Sequence, residues 1–571
     1  MLRAYQEAIL RLKFRASYLL KLIEWGLSAQ IVAFAIAIFA LRPYVNFNDL
    51  LTVKSWIFAE IKNIILMFFH SQTATIDNSL VAGAIKNILY EIRLPIALSF
   101  LGWIVPLIVH LHFKKRGGDY IKEEQLEGSK LIDVLSFIKK IKRSKKPTNL
   151  QIGGFKKGNM LLQEDKTNDK EEKILRKGVV PIPIEDEIKH FLIVGAPGSG
   201  KSVLLKPVID QIKTRDEKMI IHDFKGDMLT KFYNPLTDFI FNPLDERCLG
   251  WNIWNDIKNE LDISSIAASL FVATNKEDPF WNDAARDVFE AVMIYLYKND
   301  KKTNKDIWEY LNKPAKELQE ILKSDTDTYM AARYIEQSES KQTQGVLSKL
   351  SQNTQFFKYL KNIDGNFSIK EFINSDEIKG SIFLINYADL KDVLTPAITL
   401  FIDIASKATL SIEDNLSRRV FFMLDEFGQL RKMTSLIDIL TNGRSKGVSV
   451  WLAIQDIGQI EDKYGSALKQ TIINTFSNLI IFRLNDPKTA KFFIEKIGER
   501  KMLLTDEMIH HRADGETDQM QVRKSQRVES LLLNSNLLNL ESRKAYISLA
   551  SIEEYTKIKV YVKQFENVAN R

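Results

Sequence analysis

Residues 190–205, HFLIVGAPGSGKSVLL, constrain the fold of this chain more than any other stretch. A short apolar run, FLIV, ends on Gly195, Ala196, Pro197, Gly198, Ser199, Gly200, Lys201 and Ser202, which satisfy the pattern G-x-x-x-x-G-K-[ST]. The glycines let backbone N–H groups turn inward around phosphate oxygens, where a side chain would block approach. Lys201 is placed to reach β- and γ-phosphates, and the Ser202 hydroxyl to ligate Mg²⁺. A helix opening near Ser202 adds its positive end. A strand before the loop and an apolar-faced helix after it are the context this mechanism needs. Together they predict an ATP site at the edge of an α/β sheet.

A second stretch, VFFMLDE at residues 420–426, supplies the partner. Five apolar residues read as a buried strand that ends in two acids, where the sites of open α/β sheets lie. Asp425 is expected to hold Mg²⁺, directly or through water. Glu426 suits a general base that polarises water for attack on the γ-phosphate. Alone, such a stretch is equally a strand closed by a solvated acidic turn; beside an intact phosphate loop the chemical reading is preferred. Gln455 ends the strand VSVWLAI and is a candidate for contacting the γ-phosphate or orienting the attacking water. Arg444, in the turn TNGRSKG, is a candidate to project towards a neighbouring subunit's nucleotide. A strand-end amide and a surface turn arginine are the plain alternatives. Asp223 and Lys225, in HDFKGD, approach the same edge with structural roles equally open.

Nothing else in the chain carries catalytic chemistry. Cys248 is the only cysteine, which excludes an intrachain disulfide and reads as a small apolar residue. His110, His112, His222, His510 and His511 form no triad or metal set. The net charge of +8 is compatible with nucleic acid or anionic lipid and proves neither.

Residues 25–41 hold no charge over seventeen residues, about 26 Å as a helix, and flanking Leu22 and Ile23 lengthen it enough to cross a bilayer. Residues 94–113 hold twenty more uncharged residues, closed by Lys114, Lys115 and Arg116. The alternative of a cleaved signal peptide is disfavoured because twenty-four residues precede the first apolar run. Basic residues before the first run and after the second put both ends in the cytoplasm, with 42–93 as a periplasmic loop. KKIKRSKK, at 139–146, reads as a solvated linker face able to meet lipid headgroups or DNA backbone.

From residue 191 on, short β-branched runs alternate with helical patterns: FLIV, MIIH (219–222), SIFLIN (381–386), VFFML, VSVWLAI and LIIFR (479–483). A late pair follows at 545–549 and 558–563. Alternation of this kind marks a mostly parallel sheet. Residues 250–379 break it with apolar steps of three and four, as in FWNDAARDVFEAVMIYLY, and read as an inserted helical domain. Residues 507–529 read as loop. The expected division is a cytoplasmic N-terminus (1–24), two transmembrane helices (25–41 and 94–113) around the loop 42–93, and a connector (114–180). An α/β motor domain follows in two parts (181–249 and 380–571) around the all-helical insertion (250–379).

Several stretches besides the phosphate loop carry a family resemblance: FNPLDERCLGWNIWND (241–256), KEDPFWNDAARDVF (276–289), FFMLDEFGQLRKM (421–433), IQDIGQIEDKYG (454–465) and EKIGERK (495–501). In these the chain resembles the type IV coupling proteins of bacterial conjugation, TraD type of F-like systems, from the paired apolar segments to about Leu549. The resemblance implies a RecA-like hexameric ATPase of the bacterial inner membrane. It implies docking of a relaxase-bound strand to a type IV secretion channel and export of single-stranded DNA. It places Lys201, Ser202, Asp425 and Glu426 on the two Walker motifs, Arg444 on the arginine finger and Gln455 on the γ-phosphate sensor. F-type members carry a long C-terminal extension that recruits cargo, whereas this sequence stops at Arg571, so recruitment is expected from the inserted domain or another protein. A coupling ATPase for protein effectors shares the same chemistry. An FtsK-like duplex translocase usually has four spans and a winged-helix module, and neither is found.

Overall fold

The computed structural model describes residues 2–41, 43, 45–68, 78–108, 110–111, 124–153, 170, 174–175, 177–273, 278–386, 389, 391–510 and 519–570. Two compact units result, one of Met1–Glu124 with Met502–Arg527, the other of Gln125–Lys501 with Val528–Arg571.

The first unit is built on helices Leu2–Leu41, Phe47–Phe68 and Asn78–Ser99, the last continued by a 3₁₀ turn at Phe100–Trp103. Two of its stretches, Leu19–Leu41 and Ser79–Ile108, are long and apolar enough to cross a membrane. A third such helix, Lys391–Ser411, lies in the second unit with 83% of its apolar window buried, so it is a core helix. Residues 42–93, the segment expected to join the two spans, hold a full helix and the start of the next. FNDLLTVKSWIFAEIKNIILMF repeats apolar residues at helical spacing behind Asp49 in the first turn. A Cβ on Gly102 would stand 2.7 Å from the backbone of Ala29, so only glycine permits this approach of two helices. Trp103 Nε1–H donates to Gln30 Oε1 at 2.8 Å, and the Gln30 amide reaches Ser99 Oγ at 3.4 Å. The cluster Lys114–Arg116 lies outside the described residues.

In the second unit, ten strands among the described residues form one sheet. We number them β1 (Leu131–Ile132), β2 (Phe191–Val194), β3 (Lys218–Asp223), β4 (Phe239–Phe241), β5 (Ser381–Ile385), β6 (Val420–Leu424), β7 (Val448–Ile454), β8 (Asn478–Ile481), β9 (Lys544–Leu549) and β10 (Ile552–Lys559). Their order is β1-β10-β9-β8-β2-β7-β6-β3-β5-β4. From β8 to β4 all neighbours run parallel, and β9 turns antiparallel against β8 and β10. Trp451 pairs with Phe191 and Ile454 with Val194, while Leu452 pairs with Leu424. That register brings the ends of β2, β6 and β7 to one edge.

Both faces of the sheet are covered, which is why β2, β6 and β7 are buried at every position. Alternate residues feed two cores. Phe191, Ile193, Phe421 and Trp451 face helices Val134–Arg143 and Lys201–Thr214, with Phe191 stacked on Trp451 at 3.9 Å. Leu192, Val194, Phe422 and Leu452 face the other side. There the helices between Ile253 and Asn374 share one core with the sheet, joined through Phe241, Trp251 and Phe401 with ring centroids 5.0–5.4 Å apart. At this junction NPLDER is a turn and WNIWND a bridge residue followed by a 3₁₀ helix, Ile253–Asp256. Asp245 takes Arg247 in a two-pronged bond at 2.8 and 2.7 Å, and buried Asp256 accepts from the Trp251 indole at 2.8 Å.

Four sequence expectations change. The connector contributes β1 and a strand, Thr148–Ile152, paired with Val180–Pro183. The short strand β4 adds to the sheet edge. The final strand is Ile552–Lys559, not 558–563; beyond it Val560 N–H bonds the Arg543 carbonyl at 2.7 Å, in register with the Lys544–Lys559 pair. Residues 507–529 fall largely in strands Glu499–His510 and Gln519–Ser530 rather than loop; residues 511–518 lie outside the described residues.

Candidate nucleotide-binding site

The loop from Gly195 to Gly200 leaves β2 at the edge shared with β6 and β7 and opens helix Lys201–Thr214. Its first amides are used structurally. Gly195 N–H donates to the Ile454 carbonyl at 3.1 Å, Ala196 N–H to that of Arg483 at 2.8 Å, and Ser199 N–H to that of Ala196 at 3.2 Å. A Cβ on Gly195 would lie 2.6 Å from Ser199 Oγ, so this glycine is required for packing. Gly198 and Gly200 have φ of +71° and +122°, and a Cβ on Gly198 would meet open space. The loop therefore presents bare backbone to the cavity, above the unpaired amides of the first helical turn.

Lys201 is 8% exposed, and its Nζ donates to the carbonyls of Gly195 and Ala196. Burial lowers its pKa, and the charges of Glu426 and Asp425 oppose that shift. Ser202 Oγ stands 3.2 Å from both carboxylate oxygens of Asp425. Burial and the Asp223 charge push Asp425 up to about 6, against the pull of the Ser202 hydroxyl. A hydroxyl facing both oxygens of one carboxylate is an oxygen donor set of the kind a hard divalent cation takes. Among the described residues no three His, Cys, Asp or Glu side chains converge, so a cation here would draw its other ligands from phosphate and water.

Glu426 Oε2 accepts from the Gln455 amide at 3.0 Å, while Glu426 Oε1 is buried without a partner. A buried carboxylate oxygen with no donor is costly, and a water or ligand there would satisfy it. Gln455 is itself braced, its N–H donating to Gln459 Oε1 at 3.1 Å. Behind Glu426, Lys463 Nζ donates to the Phe427 and Gly428 carbonyls at 3.1 and 2.9 Å; burial takes its pKa down to about 8.

Lys201, Ser202, Asp425, Glu426 and Gln455 line a cavity of about 410 Å³ together with Phe224, Lys225, Asp227 and Gln429. Of the sequence candidates, Ala196, Pro197, Gly198, Gly200, Lys201, Ser202, Asp425, Glu426 and Gln455 line it, whereas Gly195 and buried Ser199 pack against each other within the loop and do not. Lys225 reaches it, whereas Asp223 accepts the amides of Asp227, Met228 and Leu229 at 3.1, 2.7 and 2.8 Å and so holds the next turn. Ser542 and Arg543 also line the cavity, and sequence reasoning missed both. No local pattern marks them, since they arrive through the return of β9 to the sheet. Cys248 is a lone thiol pushed up by burial to about 12, and His222 is a fully buried neutral ring.

Arg444 lies elsewhere. It is exposed in the turn before β7, near Glu185 and His190, at the edge of the sheet opposite the phosphate loop. The seven residues of β7 separate the two edges by about 20 Å at about 3.3 Å per residue. Arg444 therefore cannot reach the cavity of its own chain.

A family model described as the type IV secretion-system coupling protein DNA-binding domain matches residues 174–561. Coupling protein TraD of Escherichia coli (strain K12) is 28% identical over 412 residues, covering 71% of this chain and 56% of TraD. Coupling protein VirD4 of Bartonella henselae is 24% identical over 269 residues, covering 43% of this chain and 40% of VirD4. The chain thus spans about half the length of these curated relatives. The solved structure of plasmid coupling protein TrwB with the non-hydrolysable ATP analogue ADPNP superposes with a TM-score of 0.62 at 24% identity, covering 79% of this chain and 97% of that one. The TrwB complex with ADP and Mg²⁺ gives 0.61 at 24% identity, with 79% and 96% covered. At that identity the likeness establishes the fold, a RecA-like P-loop NTPase with a helical insertion.

Proposed function

Because the chain belongs to the type IV secretion-system coupling protein family, we propose that it is a membrane-anchored ATPase that pumps single-stranded DNA during conjugation. In this reading a relaxase–DNA complex is its cargo and a type IV secretion channel its outlet. The working form is a homo-hexamer in a bacterial inner membrane, crossing it twice with the N-terminus and sheet domain in the cytoplasm. The solved relatives bearing ADPNP, and ADP with Mg²⁺, support ATP and Mg²⁺ as the ligands.

The residues divide the work. Backbone amides of the loop and the ammonium of Lys201 hold the phosphates. Ser202 and Asp425 would hold Mg²⁺, which when bound neutralises charge on the β- and γ-phosphate oxygens. Glu426 Oε1 accepts the proton of the attacking water, and Gln455 keeps that carboxylate oriented and stands by the γ-phosphate. Arg444 of one subunit stabilises the transition state in its neighbour.

One observation carries this reading: the phosphate loop and Arg444 sit at opposite edges of one sheet. A chain built so completes its site only head-to-tail, which generates a ring when the rotation closes. Hydrolysis then alters the subunit interface, and channel loops advance along a phosphate backbone without base readout. The test is ATP turnover by the full chain in nanodiscs with single-stranded DNA, duplex DNA or none. Stimulation by single strands above duplex is expected. Indifference to all DNA would instead point to protein cargo, and preference for duplex to a translocase of another kind.

A further inference from the structure

Two strands to one side of the phosphate loop lie the acids that follow β6; two strands to the other side, β9 begins just after Arg543. Arg543 adopts φ +67°, in the left-handed region that is uncommon for a non-glycine residue. Its N–H donates to the Ser199 carbonyl at 2.7 Å, and its own carbonyl accepts from Val560 at 2.7 Å. Next to it, Ser542 Oγ donates to the Gly198 carbonyl at 3.1 Å. This corner is bolted to the tip of the phosphate loop by hydrogen bonds from two consecutive residues. A Cβ on Gly200 would stand 3.1 Å from Arg543 Cα and 3.4 Å from its Cγ, so the arginine passes directly over that glycine.

The adjacent Lys544 pairs with Glu541 at 2.9 Å. Arg543 has no ion-pair partner among the described residues, although it is half-buried and lines the phosphate cavity. The carboxylates of that cavity, Asp227, Asp425 and Glu426, come from the β3 and β6 side. A planar guanidinium left without a carboxylate beside phosphate-binding amides is matched to phosphate oxygens.

We propose that Arg543 grips the α- and β-phosphates of the nucleotide bound in its own chain, on the flank opposite Asp425 and Glu426. This rests on the nucleotide reading of the cavity. It also gives the two arginines separate tasks: Arg543 holds diphosphate and triphosphate alike, whereas Arg444 of a neighbour acts only on the γ-phosphate. The strained backbone aims the side chain, and the bonds to Ser199 and Gly198 tie the final strands of the sheet to occupancy of the site.

The test measures ADP binding and ATP turnover for the full chain in nanodiscs carrying Arg543→Ala, Arg543→Gly, Arg543→Lys or Lys201→Ala. Loss of a charge-assisted contact predicts ADP affinity down by about 10- to 100-fold in both Ala and Gly variants. The loss should fall on KM more than on kcat, with partial rescue by lysine. Glycine relieves the φ strain, so its variant should melt no lower than wild type while binding as weakly as alanine. ADP affinity within twofold of wild type in both variants, with Lys201→Ala defective, would overturn the role of Arg543 alone. Weak binding in alanine restored by glycine would overturn it too, by assigning the effect to backbone. Failure of the unaltered chain to bind any nucleotide would sink the reading of the whole cavity.

Discussion

Replacing Glu426 with glutamine is expected to leave nucleotide bound and stop its turnover. Glu426 has one oxygen on the Gln455 amide at 3.0 Å and a second, Oε1, buried with no donor. Glutamine keeps the volume, and its carbonyl oxygen takes the Oε2 position, so a neutral bond to Gln455 worth about 1 kcal/mol survives. The change falls on Oε1, where a basic lone pair becomes an NH₂ that can only donate. General-base catalysis supplies about 10²–10⁴ in rate, or about 3–5 kcal/mol of barrier. Turnover should drop by at least that lower factor while affinities for ATP and ADP stay within a few-fold. Glu426→Ala is expected to lose as much activity and also some stability, about 1–3 kcal/mol, because it strands the Gln455 amide. Steady-state turnover alongside equilibrium nucleotide binding on the same preparation reads both effects. If Glu426→Gln kept more than a tenth of the activity, the carboxylate would not be the base. If it lost binding as fully as Lys201→Ala, Glu426 would belong to the grip rather than to the chemistry.

Two further outcomes follow from buried charge. Asp403 is 1% exposed and accepts from Ser269 Oγ, Thr434 Oγ1, Ser435 Oγ and Ser435 N–H, with Lys407 at 3.2 Å. Asp403→Ala strands that network and should cost about 3–5 kcal/mol, read in denaturant melts; a loss below about 1 kcal/mol would show the network to be dispensable. Burial holds His190 and His222 near pKa 4, both neutral in the folded chain, against about 6.5 when unfolded. The unfolded state therefore binds more protons between those values, and stability falls as pH drops from about 6.5 towards 4, by up to about 1.4 kcal/mol per histidine per pH unit. A His190→Gln, His222→Leu double variant should flatten the melting-temperature slope between pH 6.5 and 5. An unaltered slope there would reassign the titration to other groups.

The chemistry was legible in the sequence where it is local. The phosphate loop and the two acids after β6 each follow a run of buried apolar residues, so pattern and position coincide. Gln455 was legible for the same reason, as the residue that ends a strand of seven buried positions. Arg444 could be placed in a turn, but its distance from its own loop emerges only from the parallel register of β7 with β2. Ser542 and Arg543 were invisible because no residue pattern announces a left-handed arginine or a contact across more than three hundred positions. Short or polar strands were lost as well: β1 is two residues long, β4 three, and Gln519–Ser530 carries too many charges to signal a sheet. Helix Phe47–Phe68, inside the segment joining the two expected spans, gave no signal of a span because Asp49, Lys54, Glu60 and Lys62 interrupt its apolar residues.

The claim that active sites are shared between subunits is tested most directly by mixing two inactive variants. An Arg444→Ala subunit keeps its own phosphate loop, and a Lys201→Ala subunit keeps its arginine. Each alone should fall about 10³-fold or more in turnover, the scale of an arginine finger, with Arg444→Ala still binding nucleotide. When the two are co-assembled in equal amounts, one interface in about four joins a good loop to a good arginine, so activity should return to about a quarter of wild type. A mixture as inactive as its components, or an Arg444→Ala chain that turns over ATP normally by itself, would contradict the account.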